Sequence, residues 1–541
     1  MSYAAPIADM RFALEACADL WRLRGRFPDL DEDLLAAILE GAGALAGETL
    51  APLNRTGDRA GVKLDGDVVR TAPGFREAYE AFKEGGWQGL AADSAYGGQG
   101  LPRAIALAVM ETAHGANMSF GLLPMLTLGA IEAIDQHGAP DQKQLYLGKL
   151  VSGEWTGTMN LTEPQAGSDL GALTTKATPQ ADGSYAITGQ KIFITWGEHD
   201  LAPNIIHLVL ARIEGAPAGS KGISMFIVPK FRDEDGSRNA VRCIGVEEKM
   251  GIHASPTCTL AYEGATGWLI GEENKGLAAM FTMMNAARLN VGMEGVAVAE
   301  AAYQKALAYA RERRQGGKLI VEHPDVRRML MTMRAKIQAG RAICYACAVA
   351  ADAGDRAQED VLTPIAKAWC TDLGVECASL GVQVHGGMGY VEEGGAAQFY
   401  RDARIAPIYE GTNGIQAIDL YGRKLLGDRG EAMREILTEA RDVAGSTHPK
   451  LSAAVDALAE ATDYMLSASR EDALAGAYPF LQLAGDVVGG VLLVKGVARN
   501  GDAGQAAVLR FYARTVLARA PSRLAEIRIG VDVLAEDALE G

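Results

Sequence analysis

The chain has 541 residues, 48% of them hydrophobic and 22% charged, an ordinary globular composition with too much chain for one core, so two to four domains are expected. Its net charge of -16 excludes a nucleic-acid partner, because phosphate binding demands the opposite sign, and its longest apolar runs, such as Val487–Val494, are too short to span a bilayer. The N-terminal stretch lacks a basic start followed by an apolar core, so no secretion signal is read, and seven scattered cysteines, an odd number, argue against a disulfide framework and fit a reducing cytoplasm.

Residues 1–155 read as helices. Leu34, Leu35, Ile38 and Leu39 fall at helical spacing. The turn-rich loop Asp93–Pro102 interrupts, and the helical pattern resumes over 104–134. From 156 to 278 the character changes. Ser184–Thr195, Asn204–Ile213, Gly222–Lys230 and Thr257–Ile270 are short, rich in β-branched and aromatic residues, and bounded by Gly, Pro, Asp or Asn. Strands at that spacing, without helices between them, predict a small antiparallel barrel or sandwich. Helices return over 279–430. One pattern of about 35 residues begins near Gly276, three times an average helix, and predicts a bundle. Two more helices follow at 324–353 and 359–383. Residues 431–541 read as an appended helical domain, with Leu451, Val455 and Leu458 at helical spacing.

Cys344 and Cys347 form C-x-x-C in an alanine-rich helical segment, read as a buried pair of small apolar side chains in preference to a redox couple. No histidine spacing supports a metal site, and no glycine-rich turn after a strand supports a Rossmann nucleotide site.

The run Ile408–Gln416 sets one carboxylate, Glu410, between apolar neighbours and a glycine, just before a helical pattern at Ile415, Ile418, Tyr421 and Leu425. Asn413 and Gln416 read as a capping box with Asn413 as the cap. The helix N-terminus favours an ionised carboxylate, while Ile408 and Tyr409 push its pKa up. A carboxylate kept ionised yet poorly solvated suits a general base. The plainer reading is that Glu410 caps the helix or pairs with Arg401 or Arg404.

Four stretches in order, Met159–Ala177, Tyr309–His323, Val382–Glu393 and Arg401–Gln416, resemble the signatures of the acyl-CoA dehydrogenase family. The resemblance covers about residues 30 to 426. It implies an α+β multidomain fold: a helical bundle, a central antiparallel β-barrel, a second helical bundle, and here an appended C-terminal helical domain. The extended N-terminus and the region after 430 are most similar to the bacterial subgroup acting on 3-methylthiopropanoyl-CoA, in dimethylsulfoniopropionate degradation; the wider family serves fatty-acid β-oxidation.

The resemblance implies FAD, and Glu410 as the base that takes the α-proton of an acyl-CoA thioester while the β-hydrogen leaves as hydride. Gly411, beside the base, would suit close approach of the thioester carbonyl. Some relatives carry the base on the long helix, one residue before the position of Arg288; Ala287 stands there instead. Thr162, Ser168, Phe193, Thr195 and Thr412 match flavin contacts, with Ser168 also a substrate contact. Arg313, Gln383 and Gly387 match residues that reach the FAD of a neighbouring subunit, although Gln315–Gly317 departs from the usual motif beside them. Read without the family, Arg313 is a solvated helix face and the Thr162–Ser168 loop a strand-ending turn. Arg288 and Asn285 match positions near substrate. The expected partners are an acyl-CoA substrate and an electron-transferring flavoprotein, and the expected state is a cytoplasmic homodimer without a metal. Alternatives are an acyl-CoA oxidase, a longer-chain dehydrogenase, or, from another class, a non-catalytic acyl-CoA-binding scaffold.

Overall fold

The computed structural model describes residues 3–233, 235–534 and 539. They divide into two compact units, one of the described residues within 40–287 and one combining 3–39 with the described residues from 288 onward.

In the first unit, helices α1 (Arg103–Ala116), α2 (Met118–His137) and α3 (Pro140–Val151) precede the strands. The continuous helical pattern read over 104–134 is broken at Asn117, whose extended backbone and side chain cap α2 by accepting from the Phe120 N–H at 3.1 Å. Both α1 and α2 are apolar on nearly every face because nearly every face is buried.

Seven strands follow: β1 (Thr156–Asn160), β2 (Lys176–Pro179), β3 (Tyr185–Thr195), β4 (Ile205–Ile213), β5 (Ile223–Pro229), β6 (Val241–Val246) and β7 (Thr257–Ile270). Pairings β4–β2–β3–β7–β5 and β5–β4 close a barrel, with β1 on β4 and β6 on β7. The four long strands lie within a residue of their sequence-based positions. The antiparallel expectation holds except that β4 runs parallel to both β1 and β2. These short strands carry too few residues to show alternation, and β1 is buried throughout. Val209, Phe226, Ile187, Ile194 and Tyr262 fill the interior.

The loop after β1 is held by a buried ion pair. Glu163 meets Lys191 Nζ of β3 at 2.8 Å, and its oxygens also accept from the N–H and hydroxyl groups of Thr174 and Thr175. Burial works to raise the Glu163 pKa, but Lys191 and these donors outweigh it and bring it to about 2.

The second unit is helical. It takes α4 (Gly276–Glu312) from Arg288 onward, then α5 (Pro324–Ala353), α6 (Arg356–His385), α7 (Ala396–Ala403) and α8 (Asn413–Asp419). Glycines set the α4–α6 spacing: a Cβ on Gly292 would lie 2.6 Å from the Ala366 carbonyl oxygen, and one on Gly374 would lie 2.9 Å from the Gly295 Cα. The appended helices are α9 (Glu431–Ala444), α10 (Pro449–Ser467), α11 (Arg470–Asn500), α12 (Ala503–Thr515) and α13 (Ala520–Ile527). They dock on α6, where Trp369 Nε1 donates to the buried Asp486 of α11 at 3.0 Å. Cys344 and Cys347 are buried in α5, and burial pushes the Cys347 thiol up.

The reading that no apolar stretch could span a bilayer is corrected by length and composition: among the described residues three helical stretches could, Glu32–Ala60, Met118–His137 and Arg470–Asn500. The runs were counted between polar residues, whereas a helix accumulates hydropathy across them. In the last two, 83% and 89% of the apolar window is buried inside the protein; in the first, 33% is.

Replacing Lys191 by Met leaves Glu163 as an uncompensated buried carboxylate. The expected loss is about 3–5 kcal/mol of unfolding free energy, read from the urea midpoint; a variant as stable as the parent would show the pair to be dispensable.

Candidate active site

Glu410 lies in a tight turn that the backbone strains to make. Its φ is +54°, a left-handed conformation unusual for a side chain of its size, and Gly411 follows at +83°. Two bonds from Gln416 Nε2, to the Glu410 carbonyl at 3.1 Å and the Gly411 carbonyl at 3.4 Å, hold the turn. Thr412, not Asn413, caps α8: its Oγ1 accepts from the Ile415 N–H at 3.2 Å. Asn413 is the first helical residue and points inward. The buried face of α8 is therefore Asn413, Gln416, Ala417 and Asp419, while Ile418 of the expected apolar stripe is 46% exposed. Among the described residues, the N–H groups of Glu410 and Gly411 meet no acceptor.

The surroundings of Glu410 are charged, and the residue itself is half-buried. Burial raises its pKa, Arg288 and Lys367 pull it back, and the result is about 7. The alternative pairing with Arg401 does not form, because Arg401 is engaged by Glu392 at 2.9 Å. Arg288 of α4 is buried and sits 3.4 Å from Asp419. Lys367 of α6 is 0% exposed; burial lowers its pKa to about 7 against the opposing pull of Glu410, Asp372 and Glu294. Its Nζ donates to Asn413 Oδ1 at 2.9 Å. Glu294 of α4 receives the Tyr409 hydroxyl, and burial first, with the Glu410 charge adding, raises its pKa to about 8. A carboxylate near neutrality beside two cations, with unspent N–H donors in the same turn, can take a proton from carbon and stabilise the oxyanion that results.

Sequence reasoning missed Lys367, Glu294, Asp372 and the inward role of Asn413. The available signal was a lone charge in an otherwise small and apolar helix, as in Met293–Glu294–Gly295 and Ala366–Lys367–Ala368.

The barrel unit brings Thr162, Phe193 and Thr195 together. Between the pairs Lys191–Leu260 and Ile194–Cys258, β3 carries one residue more than β7, a bulge. Phe193 sits in it at φ +59° and is 58% exposed. The Ile192 N–H donates to the Thr162 carbonyl at 3.0 Å, and Thr158 Oγ1 donates to the Thr195 carbonyl at 2.7 Å. Ser168 is exposed on the same loop as Thr162. Among the described residues, the hydroxyls of Thr162, Ser168 and Thr195 have no partner. An exposed aromatic face with unspent hydroxyls around it fits a flat heteroaromatic group rich in acceptors, as an isoalloxazine is.

Arg313 and Gln383 are exposed near the C-terminal ends of α4 and α6, which meet where Tyr309 stacks on His385 with centroids 4.5 Å apart. Gly387 is exposed, followed by Met388 and by Tyr390 at 86% exposure. Asn285 is exposed on α4. Thr412 keeps its hydroxyl proton after accepting at the cap.

Four family models match the chain: the N-terminal domain of acyl-CoA dehydrogenase over 36–154, its middle domain over 158–265, its C-terminal domain over 274–425, and the acetyl-CoA dehydrogenase C-terminal-like domain over 431–536. The chain is 45% identical to the 3-methylmercaptopropionyl-CoA dehydrogenase of Ruegeria pomeroyi, covering 91% of this chain and 90% of the relative. It is 36% identical to a butyryl-CoA dehydrogenase of Syntrophomonas wolfei, covering 82% and 78%. In fold it is similar to an acyl-CoA dehydrogenase of Bacillus anthracis complexed with FAD, with a TM-score of 0.76, 22% identity, and coverage of 92% and 89%. The chain belongs to the acyl-CoA dehydrogenase family. It is an FAD-dependent oxidoreductase that dehydrogenates acyl-CoA thioesters.

An alanine at Gly411 must adopt φ +83°, and its Cβ would lie 2.7 Å from Gln416 Nε2, the group that holds the turn. Gly411→Ala is expected to lower stability by about 1–3 kcal/mol, measured by chemical unfolding, and to reduce turnover by displacing Glu410.

Proposed function

We propose that Glu410 is the general base of this enzyme and that its preferred substrate is 3-methylthiopropanoyl-CoA, with butanoyl-CoA close behind. One observation carries the assignment of the base: a half-buried carboxylate on a strained turn, its pKa raised by burial to about 7, set beside Arg288 and Lys367. Glu410 takes the pro-leaving α-proton, and the N–H groups of the same turn receive the thioester oxygen as negative charge develops there. Bound FAD supplies the two-electron acceptor for the β-hydrogen. Thr162, Ser168, Phe193, Thr195 and Thr412 are the residues that would hold it. Ser168, Asn285, Arg288 and Gly411 are assigned to the substrate side, and Ala287 offers no rival base.

The substrate choice is supported by similarity to the Ruegeria relative across nearly the whole chain, the appended domain included. It would make the reaction a step in dimethylsulfoniopropionate breakdown. A thioether sulfur and a methylene differ little in shape, so the pocket separates the two substrates by about 1–3 kcal/mol at most. Electrons would pass to an electron-transferring flavoprotein. A homodimer is supported by the exposed Arg313, Gln383 and Gly387, assigned to a neighbouring subunit's FAD, and by the exposed apolar Met388 and Tyr390 beside them. A cytoplasmic location is supported by seven cysteines that are all free thiols.

Replacing Glu410 by Gln is expected to retain FAD and fold and to lower turnover by about 10² to 10⁴. In the parent, kcat/KM should rise with pH through about 7 as Glu410 ionises. Near-normal desaturation by the Gln variant would remove Glu410 from the mechanism.

A panel of acyl-CoAs assayed with a dye acceptor should peak at the methylthio compound and butanoyl-CoA and fall away at palmitoyl-CoA. A long-chain optimum would overturn the substrate assignment. Oxygen uptake in place of dye reduction would identify an oxidase.

A further inference from the structure

We propose that the appended C-terminal domain reaches into the catalytic centre through a chain of hydrogen bonds, and that Tyr478, Gln482 and Asp372 are positioning residues for Lys367 and, through it, for Glu410. The inference deepens the assignment of Glu410 as base and rests on it. The chain starts on α11. Tyr478 Oη donates to Asp372 Oδ2 at 2.6 Å, and Gln482 Nε2 donates to the same oxygen at 2.7 Å. The other oxygen, Asp372 Oδ1, accepts from Asn413 Nδ2 at 2.9 Å. Asn413 Nδ2 is further surrounded by the Ala368 carbonyl at 3.1 Å and Thr371 Oγ1 at 3.0 Å. Asn413 Oδ1 faces the Lys367 ammonium at 2.9 Å. The neighbours settle the orientation of the amide, since a carboxylate and a carbonyl need its NH₂ and an ammonium needs its oxygen.

Each member is where disorder would be costly. Lys367 and Asn413 are buried, so a flipped Asn413 amide would leave the ammonium without its acceptor and Asp372 Oδ1 facing an amide oxygen in place of a donor. Asn413 opens α8, three residues after Glu410, so the bond that holds Lys367 also anchors the base-bearing turn. Asp372 does not approach the turn itself. It acts by fixing Asn413 and by adding negative charge near Lys367, which opposes the lowering of that amine's pKa by burial. The far end is less enclosed. Tyr478 is part-exposed and lines, with Lys336, Trp369, Arg519 and Arg523, a cleft of about 340 Å³ beside Asp372.

The titratable groups facing this chain are few. Lys367 faces Glu410 on the base turn, Arg288 and Glu294 on α4, and Asp372 on its own helix. Glu294 is bonded by Tyr409, and Arg288 is held by Asp419, which also meets Arg423. Removing the Asp372 charge therefore has one direction. Lys367 becomes easier to deprotonate, Glu410 loses part of a nearby cation, and the Glu410 pKa rises.

The test compares holoenzymes carrying Asp372→Asn, Tyr478→Phe, Lys367→Met and Lys367→Arg with the parent. Flavin content and circular dichroism are recorded first, then kcat and KM for butanoyl-CoA across the neutral pH range. In Asp372→Asn the acid limb should move up by about one pH unit, which lowers kcat roughly fivefold at neutral pH, with KM little changed. Tyr478→Phe should move it the same way by less. Lys367→Met should move it at least as far as Asp372→Asn, and Lys367→Arg should restore most of the difference. A uniform loss of kcat at every pH with the limb unmoved, or lost flavin as the sole effect, overturns the inference. Should Asp372→Asn not fold, the part-exposed Tyr478→Phe decides. Glu410→Gln is run alongside: full activity there defeats the base assignment itself, whereas an inactive Glu410→Gln with unmoved limbs in the others defeats the positioning chain alone.

Discussion

A single buried ammonium organises the helical unit. Lys367 has no exposed surface, and an isolated charge in that position would cost several kcal/mol or lose its proton. It is retained because Asn413 accepts from it and because Glu410, Glu294 and Asp372 surround it. Each of those carboxylates is itself destabilised by burial and needs the cation. Helices α4, α6 and α8 meet at a point where none of their charges is tolerable alone. The strained backbone at Glu410 persists in this setting, since releasing it would withdraw the carboxylate from Arg288 and Lys367.

The barrel unit handles a similar problem differently. Glu163 and Lys191 are equally buried, but the carboxylate is saturated with four donors from Thr174 and Thr175 besides the ammonium. Its pKa goes down to about 2, whereas that of Glu410 goes up to about 7. Glu163 has an ammonium in direct contact, with hydrogen bonds adding to its pull; Glu410 has Arg288 and Lys367 nearby but no donor bonded to its carboxylate among the described residues. A carboxylate whose lone pairs are filled is structural and chemically quiet; one held near charges without direct donors stays basic.

Much of the architecture was legible because it rests on period and punctuation. The long strands of the barrel and the helices α4, α5 and α6 fell within a few residues of their sequence-based bounds, since each carries enough residues to show its repeat. β1, β2 and β6 were not read as strands, being short; β1 and β2 also pair in parallel with β4. Glu410 was legible from an unusual local setting and a family motif. The cap at Thr412 was misassigned to Asn413 because both residue types cap well, and only the third dimension shows that Asn413 is needed elsewhere. Lys367, Glu294 and Asp372 were illegible for the same reason. Their significance lies in facing one another across three helices, and nothing in the local sequence of any one helix records the others.

The glycines at positions 292, 295 and 374 give the charge cluster its scale. They let the backbones of α4 and α6 touch where side chains would otherwise hold them apart. Arg288 and Glu294 ride on one of these helices, Lys367 and Asp372 on the other. Coulomb energies vary inversely with separation, so the hydrogen atoms in place of side chains at that seam help set how closely Arg288, Glu294, Lys367 and Asp372 approach one another. An alanine at that seam would meet the facing backbone, its Cβ at 2.6 Å for Gly292 and 2.9 Å for Gly374, so spreading the helices and resetting the separations of the charge cluster would be one event.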